Sequence, residues 1–362
     1  MSLVFFDGFD FYNSLSGMSG EKWNPGMNAF STGGRWGGQA IQPPASGSLF
    51  VPMWDGIVKT VPTHNTYIVG FAAYFGSLSI SEHPFFYFAN SSTPMVSLWI
   101  NPTTHQLEIR QWRGRGNSPS DDNANSPVGP PVILASTTTD VPLGLWFYVE
   151  FKYVVGSTVE MRINGSVAAT GVDGAGVGNI NQIHVCGIGR FGPNWACDDL
   201  CVLDDQGTFN TDYLGEVRVQ TQYPSTAGYR TDFIPNTGND HIAMLTNYYH
   251  PGIDTGNNNH SMNPGDIDSY AFSSFAVRPG GHIYGVQSNI AVRKDDVGSR
   301  VIKPTMHINT AGPGLQDYTG DAYGLYSSYT VTEKIWEKNP ATDTQWQLTD
   351  LNATEFGVKM QS

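Results

Sequence analysis

Period-two alternation of apolar and polar residues, or dense β-branched and aromatic content, recurs in one segment after another of this chain, as in "TYIVGFAAYF" (66–75), "MVSLWIN" (95–101), "QLEIRQW" (106–112), "WFYVEFKYVV" (146–155) and "TVEMRIN" (158–164). That period places successive side chains on opposite faces, so each segment is predicted to be a β-strand. The residues between them are turn-makers. "NPTTHQ" follows one strand, "VVGST" joins two, and the Asn-Gly pair of "INGSV" tolerates the positive φ of a tight hairpin. The nearest approach to an amphipathic helix, "YSSYTVTEKIWEK" (326–338), is rich in β-branched residues and reads as strand. Residues 113–131, "RGRGNSPSDDNANSPVGPP", and 250–268, "HPGIDTGNNNHSMNPGDID", are polar and rich in Gly, Pro and Asn, which predicts long surface loops. No fixed-period repeat is visible.

Composition sharpens this picture. The chain has 362 residues, 40% hydrophobic and 14% charged, with 41 Gly and 22 Pro. It is long enough for two cores, and its low charge and abundant turn-makers and aromatics fit an all-β protein. The expected fold is therefore two tandem antiparallel β-sandwich domains, residues 1–206 and 207–362. A formal net charge of −13 and the lack of any basic run argue against nucleic acid or an anionic membrane surface as a partner. The opening "MSLVFFDGFD" has no charged leader, and no stretch approaches the ~20 apolar residues of a membrane span, so neither export nor membrane insertion is expected. Three cysteines, Cys186, Cys197 and Cys201, fall within one short stretch, which is not the pattern of a disulfide-stapled secreted module.

The first half resembles the laminin-G-like or concanavalin A-like jelly roll, a two-sheet antiparallel sandwich. The resemblance rests on "FFDGFD" as first strand, on "GGRWGGQAI" as a tight glycine-rich hairpin, and on "LWFYVEFKYVVGSTVEMRINGSVAAT", where Trp146, Val149, Phe151, Val159, Met161, Ile163, Asn164 and Gly165 sit at the family's positions. "QIHVCGIGRFGPNWACDDLCVLDD" looks like the closing hairpin. The second half is similar to the C-terminal part of virion proteins of tailed bacteriophages that begin with such a jelly roll, through "DYLGEVRVQTQYPS", "SYAFSSF", "IYGVQSNIAVRKDDVGSR" and "NPATDTQWQLTDLNATEFGVK" in that order.

The resemblance implies candidate sites. With a turn near "GPNW", Cys186 would lie across from Cys201, allowing a cross-strand disulfide; the alternative is that the cysteines fill the core as small apolar residues. A zinc site lacks a fourth ligand. The first and last strands are neighbours in this fold, so Asp7 and Asp10 are expected near Asp198 and Asp199, either as calcium ligands or as solvated strand-end residues. A glycan surface needs exposed aromatic faces beside polar groups. Trp54, Tyr87, Trp112 and Trp195 are the candidate platforms, with Arg113, Arg115, Asp121, Asp122 and Asn123 as the rim; the alternative for each aromatic is a place in the core.

No catalytic signature stands out. The paired carboxyls of a glycosidase are missing, because Glu108, Glu150 and Glu160 are single acids in separate strands. The resemblance thus implies a non-enzymatic virion structural protein, made in the host cytoplasm. It would be a tail fibre or adhesin contacting host-surface polysaccharide, with other virion proteins as partners and a homotrimer as the default assembly. A head decoration protein is the alternative, and a polysaccharide-degrading enzyme the third reading.

Overall fold

The computed structural model describes residues 2–12, 22–24, 30–42, 56–76, 84–91, 93–112, 131–174, 176, 178–186, 195–245, 256–308 and 316–362. They form two compact units, Met1–Gln220 and Thr221–Ser362. The division falls later than the expected 206. The segment after 206 also departs from the expected strand near Tyr213, because its backbone donors bond to carboxylates of the first unit instead of to a neighbouring strand.

In chain order the first unit contains β1 (Ser2–Asp7), β2 (Phe30–Gly33), β3 (Gln39–Gln42), β4 (Gly56–His64), β5 (Thr66–Phe75), β6 (Pro84–Asn90), β7 (Thr93–Ile100), β8 (Leu107–Gln111), β9 (Val132–Ser136), β10 (Trp146–Val154), β11 (Thr158–Ile163), β12 (Ser166–Val172), β13 (Ile180–Cys186) and β14 (Trp195–Asp204). An eight-stranded antiparallel sheet runs β12-β11-β10-β5-β14-β3-β2, with β1 also on β14; a six-stranded one runs β4-β13-β6-β7-β8-β9. The period-two pattern does what it predicts. Val69 and Phe71 of β5 and Val149 and Phe151 of β10 face inward to meet Phe86 and Phe88 of β6, with Phe71–Phe86 ring centroids 5.5 Å apart and Phe88–Phe151 5.3 Å. The expected Asn164–Gly165 hairpin turn forms with both residues at positive φ, 49° and 80°. The first and last strands are paired, Phe6 opposite Cys201.

One expectation fails. β13 lies between β4 and β6 in one sheet, whereas β14 lies beside β5 in the other, so the chain crosses layers between them and no closing hairpin exists. Cys201 is a free, buried thiol 3.5 Å from the Tyr148 hydroxyl, so the expected Cys186–Cys201 disulfide is absent; Cys197 is free as well and packs in the core.

β12 and β9 are the terminal strands of their sheets, pack against each other along one flank, and contain no charged residue; Ile133, Val167 and Val172 are exposed there.

The second unit contains β15 (Pro224–Thr231), β16 (Ile234–Pro235), β17 (Asn259–His260), β18 (Ile267–Phe272), β19 (Val286–Val292), β20 (Val301–Ile308), β21 (Gln316–Thr319), β22 (Tyr323–Gly324), β23 (Thr330–Trp336), the single helical turn α1 (Leu348–Asn352) and β24 (Thr354–Met360). Its main sheet runs β15-β18-β24-β20-β21, with β22 on β20. The β19–β23 ribbon, containing the segment expected to be strand and not helix, covers one face. There Trp336 and Val286 pack with Met306, Ile308 and Phe356, and Trp346 donates its indole N–H to the Trp336 carbonyl at 2.9 Å. On the opposite face an irregular stretch of β15 lays the Tyr229 ring on His307, 4.0 Å between centroids, with the Tyr229 hydroxyl donating to Asp317 at 3.0 Å. Both units are thus built from antiparallel sheets, and no helix among the described residues is long and apolar enough to cross a membrane.

Phe86 is fully buried between the sheets. Phe86→Ala is expected to destabilise the first unit by about 3–5 kcal/mol in chemical denaturation; a loss below about 1 kcal/mol would contradict an aromatic interlayer core.

Candidate functional site

The site is built on an irregularity in β14. Its pairing with β5 shifts between Asp198 and Cys201, and Asp199 adopts φ 51°, a left-handed conformation that aspartate tolerates better than most residues. Cys197 and Leu200 stay in the core, and the two aspartates between them bond to groups outside it. Above them stands the β2–β3 hairpin. Its turn donates the Arg35 backbone N–H to Asp198 Oδ2 at 2.8 Å and the Trp36 indole N–H to Asp199 Oδ2 at 3.0 Å. Asp10, just after β1, accepts the Gln39 N–H at 2.6 Å, and a side chain at Gly38 would collide with that Asp10 carboxylate, so the hairpin closes over the acid only with glycine there.

Asp10, Trp36, Gly38, Asp198, Asp199, Arg218 and Val219 line a small cleft of about 30 Å³, room for about one water molecule. Its electrostatics are set first by the burial of its acids. Burial, reinforced by the adjacent Asp199, pushes the Asp198 carboxyl up to about 8; burial raises Asp199 to about 6 against the pull of the Val219 N–H and Arg35; Asp10 is raised by burial too. Trp36 is 39% exposed, and the Arg35 and Arg218 guanidiniums approach its ring at 4.9 and 5.5 Å.

Three of the four acids expected to meet therefore do so. Asp7 does not join them: it is buried, accepting the Phe9 N–H at 2.9 Å, the Tyr12 hydroxyl at 2.6 Å and the Trp23 indole N–H at 2.9 Å, with Lys22 at 3.5 Å. Among the described residues no group of three or more His, Cys, Asp or Glu side chains is arranged to hold a metal ion.

The expected glycan residues separate. Trp195 is a core residue, its ring stacked on Phe75 at 5.9 Å, because β14 turns it inward. Tyr87 and Trp112 lie on the outer face of the six-stranded sheet. Tyr87 is opposite Ser97 and stacked on His184 at 4.1 Å; Trp112, half-buried, donates to the Ser97 hydroxyl at 3.0 Å. Burial pushes His184 down to about 3, leaving a neutral imidazole. Trp99 and the Arg110–Glu108 pair share this face, with Arg110 over the Trp99 ring at 4.4 Å and its Nε donating to Glu108 at 2.7 Å. The alternation of "VSLWIN" with "QLEIRQW" already carried the signal that Ser97, Trp99, Glu108 and Arg110 leave the core together. Trp54, Arg113, Arg115, Asp121, Asp122 and Asn123 lie outside the described residues. The residues missed from sequence are Arg35, Trp36 and Arg218. Trp36 sits inside the glycine-rich hairpin, where an aromatic between turn residues has no inward face to occupy.

No protein-family model and no curated protein matches this chain. Solved structures with a similar course include domain 4 of AbnA, an extracellular GH43 arabinanase from Geobacillus stearothermophilus in complex with arabinotriose. The identity is 19% and the TM-score 0.36, over 56% of this chain and 91% of that one. A sialidase aligns at 12% identity and TM-score 0.33 over 56% of this chain, which spans only 18% of it. Galectin LEC-6 from Caenorhabditis elegans aligns at 9% identity and TM-score 0.30, over 41% of this chain and 90% of the galectin. Likeness at this level passes no ligand or activity to the chain.

The raised carboxyls set a pH dependence. The folded protein holds the Asp198 proton up to about pH 8 and the unfolded chain releases it near 4, so stability falls as pH rises across that window. In chelator-treated protein, Asp198→Asn is expected to raise Tm by about 5 °C or more at pH 8 and to change it little at pH 4, read by calorimetry. Equal shifts at both pH values would refute the assignment.

Proposed function

We propose that this chain is a non-enzymatic structural component of a tailed-phage particle that contacts host-surface polysaccharide through the Trp36 cleft, with the second unit holding it to other virion subunits or to its own copies, by default as a trimer. The glycan reading is carried by one observation: an exposed indole, fixed at its N–H by Asp199, stands beside Asp10 and Asp198 in one cleft. A pyranose needs an apolar ring for its C–H face and a polar group for its hydroxyls; the exposed Trp36 ring supplies the first and the part-exposed Asp10 carboxyl at the cleft's edge the second. The virion reading is supported by the ordered segments of the second half that resemble phage virion proteins.

One observation favours a second reading, hydrolysis of a polysaccharide. Asp198 and Asp199 are neighbours whose carboxyls are raised to different extents, about 8 and about 6, the relation expected of an acid and a base sharing a site. Against it, each of these acids accepts a backbone N–H bond that holds it to the scaffold, and the single acids Glu108 and Glu160 are tied to Arg110 and Arg162.

A polysaccharide array probed with the full chain tests both. Trp36→Ala is expected to weaken binding about tenfold or more, as loss of a stacking aromatic does, while Trp112→Ala leaves it within about twofold. No reducing ends are expected to appear. Release of reducing ends that Asp198→Asn abolishes would replace the binding reading with the hydrolytic one.

A further inference from the structure

Residues 207–220 form no strand, yet they are tied along their length to the outer face of the eight-stranded sheet. The Tyr213 ring receives the Arg162 guanidinium at 3.7 Å, and Leu214 is buried. Gly215, at φ 75°, turns its N–H onto Glu150 Oε1 at 2.8 Å; Glu216 pairs with Arg35; the Val219 N–H donates to Asp199 Oδ1 at 2.7 Å. Beneath them Glu150 is 2% exposed, and its second oxygen, Oε2, is buried with no hydrogen-bond partner. A carboxylate in that position is costly when charged, because the Gly215 and Leu214 N–H groups replace only part of the water it has lost, and less costly when protonated.

We propose that residues 207–220 are a proton-gated strap, closed over Glu150 while that carboxyl is protonated and released from the sheet when it ionises, which lengthens the connector into the second unit. The groups around Glu150 fit this. From β11 come Arg162 and Glu160, from β10 Tyr148 and Lys152, from β14 Asp199 and Cys201, and from the strap Asp212, Tyr213 and Glu216; β5 offers only the bare backbone of Gly70. Arg162 shares its charge with Glu160, which its Nε meets at 2.8 Å, and so compensates Glu150 poorly. Burial raises the Glu150 carboxyl despite the Gly215 N–H and Arg162. Once the strap lifts, Glu150 is hydrated and returns toward the ordinary value near 4.3. Between the open-state and closed-state values, each pH unit upward favours the open strap by a further factor of about ten, and above the closed-state value the effect levels off. Release frees a contour of about 45 Å.

Hydrogen exchange on the full chain at pH 5 and pH 8, corrected for the intrinsic pH dependence of amide chemistry, reads the strap at Gly215 and Val219 and the core at Val149 and Phe151. Wild-type protection at Gly215 is expected to fall from pH 5 to pH 8, with core protection unchanged. Glu150→Gln is expected to hold protection at Gly215 constant over that range, whereas Val219, bonded to Asp199, follows that carboxyl as well. Gly215→Ala, strained at its positive φ, gives the open-strap reference at both pH values, and wild type at pH 8 is expected to move toward it. Wild-type protection at Gly215 that does not vary with pH, or a Glu150→Gln profile there that falls as the wild type does, overturns the proposal. If Glu150→Gln does not fold, the wild-type profile against Gly215→Ala decides it.

Discussion

The first unit depends on a slip in the register of its last strand. In regular pairing β14 would send Asp198 and Asp199 to opposite faces, and one of them would enter an aromatic core that has no partner for a carboxylate. The shift between Asp198 and Cys201, with Asp199 left-handed, keeps Cys197 and Leu200 inside and leaves both acids among polar partners. The β2–β3 hairpin then docks on Asp198 and Asp199 through Arg35 and Trp36, β1 delivers Asp10 to the same place, and the segment after β14 returns to give its Val219 N–H to Asp199. One residue's departure from regular pairing thus connects the ends and the most glycine-rich turn of the unit.

Strand content was legible because period-two alternation is a local property that the pleat converts directly into inside and outside. "TVEMRIN" and "WFYVEFKYVV" needed only each other to specify their pairing, and the Asn164–Gly165 turn between β11 and β12 is encoded by two letters. Layer assignment was not legible. Nothing in "QIHVCGIGRFGPNWACDDL" distinguishes a hairpin within one sheet from a crossing between two, because both leave the same alternation on either side of the turn. The crossing is set by which neighbours β5 and β6 offer, and those lie more than ninety residues away.

The site was half legible for the same reason. The proximity of Asp10 to the Asp198–Asp199 pair followed from neighbouring first and last strands. Asp7, the last residue of β1, was captured instead by Tyr12 and Trp23, residues whose hydrogen bonds no periodic pattern announces. Trp36 was hidden because composition marks "GGRWGGQ" as a turn, and a turn reveals nothing about where its one large side chain points. The segment at Tyr213 looked like a strand because "DYLGEVRV" alternates; its alternation instead matches an extended backbone laid on buried carboxylates.

The flank where β9 and β12 meet bears on how the molecule survives at high concentration. Two terminal strands without a lysine, a glutamate or a proline lack the usual devices by which sheets refuse to extend themselves into a neighbour. The packing of these two strands on each other is therefore the flank's own guard, and the −13 charges of the chain add long-range repulsion to it. Salt shortens that repulsion to a few ångströms and leaves the mutual packing to keep the flank from templating a neighbour.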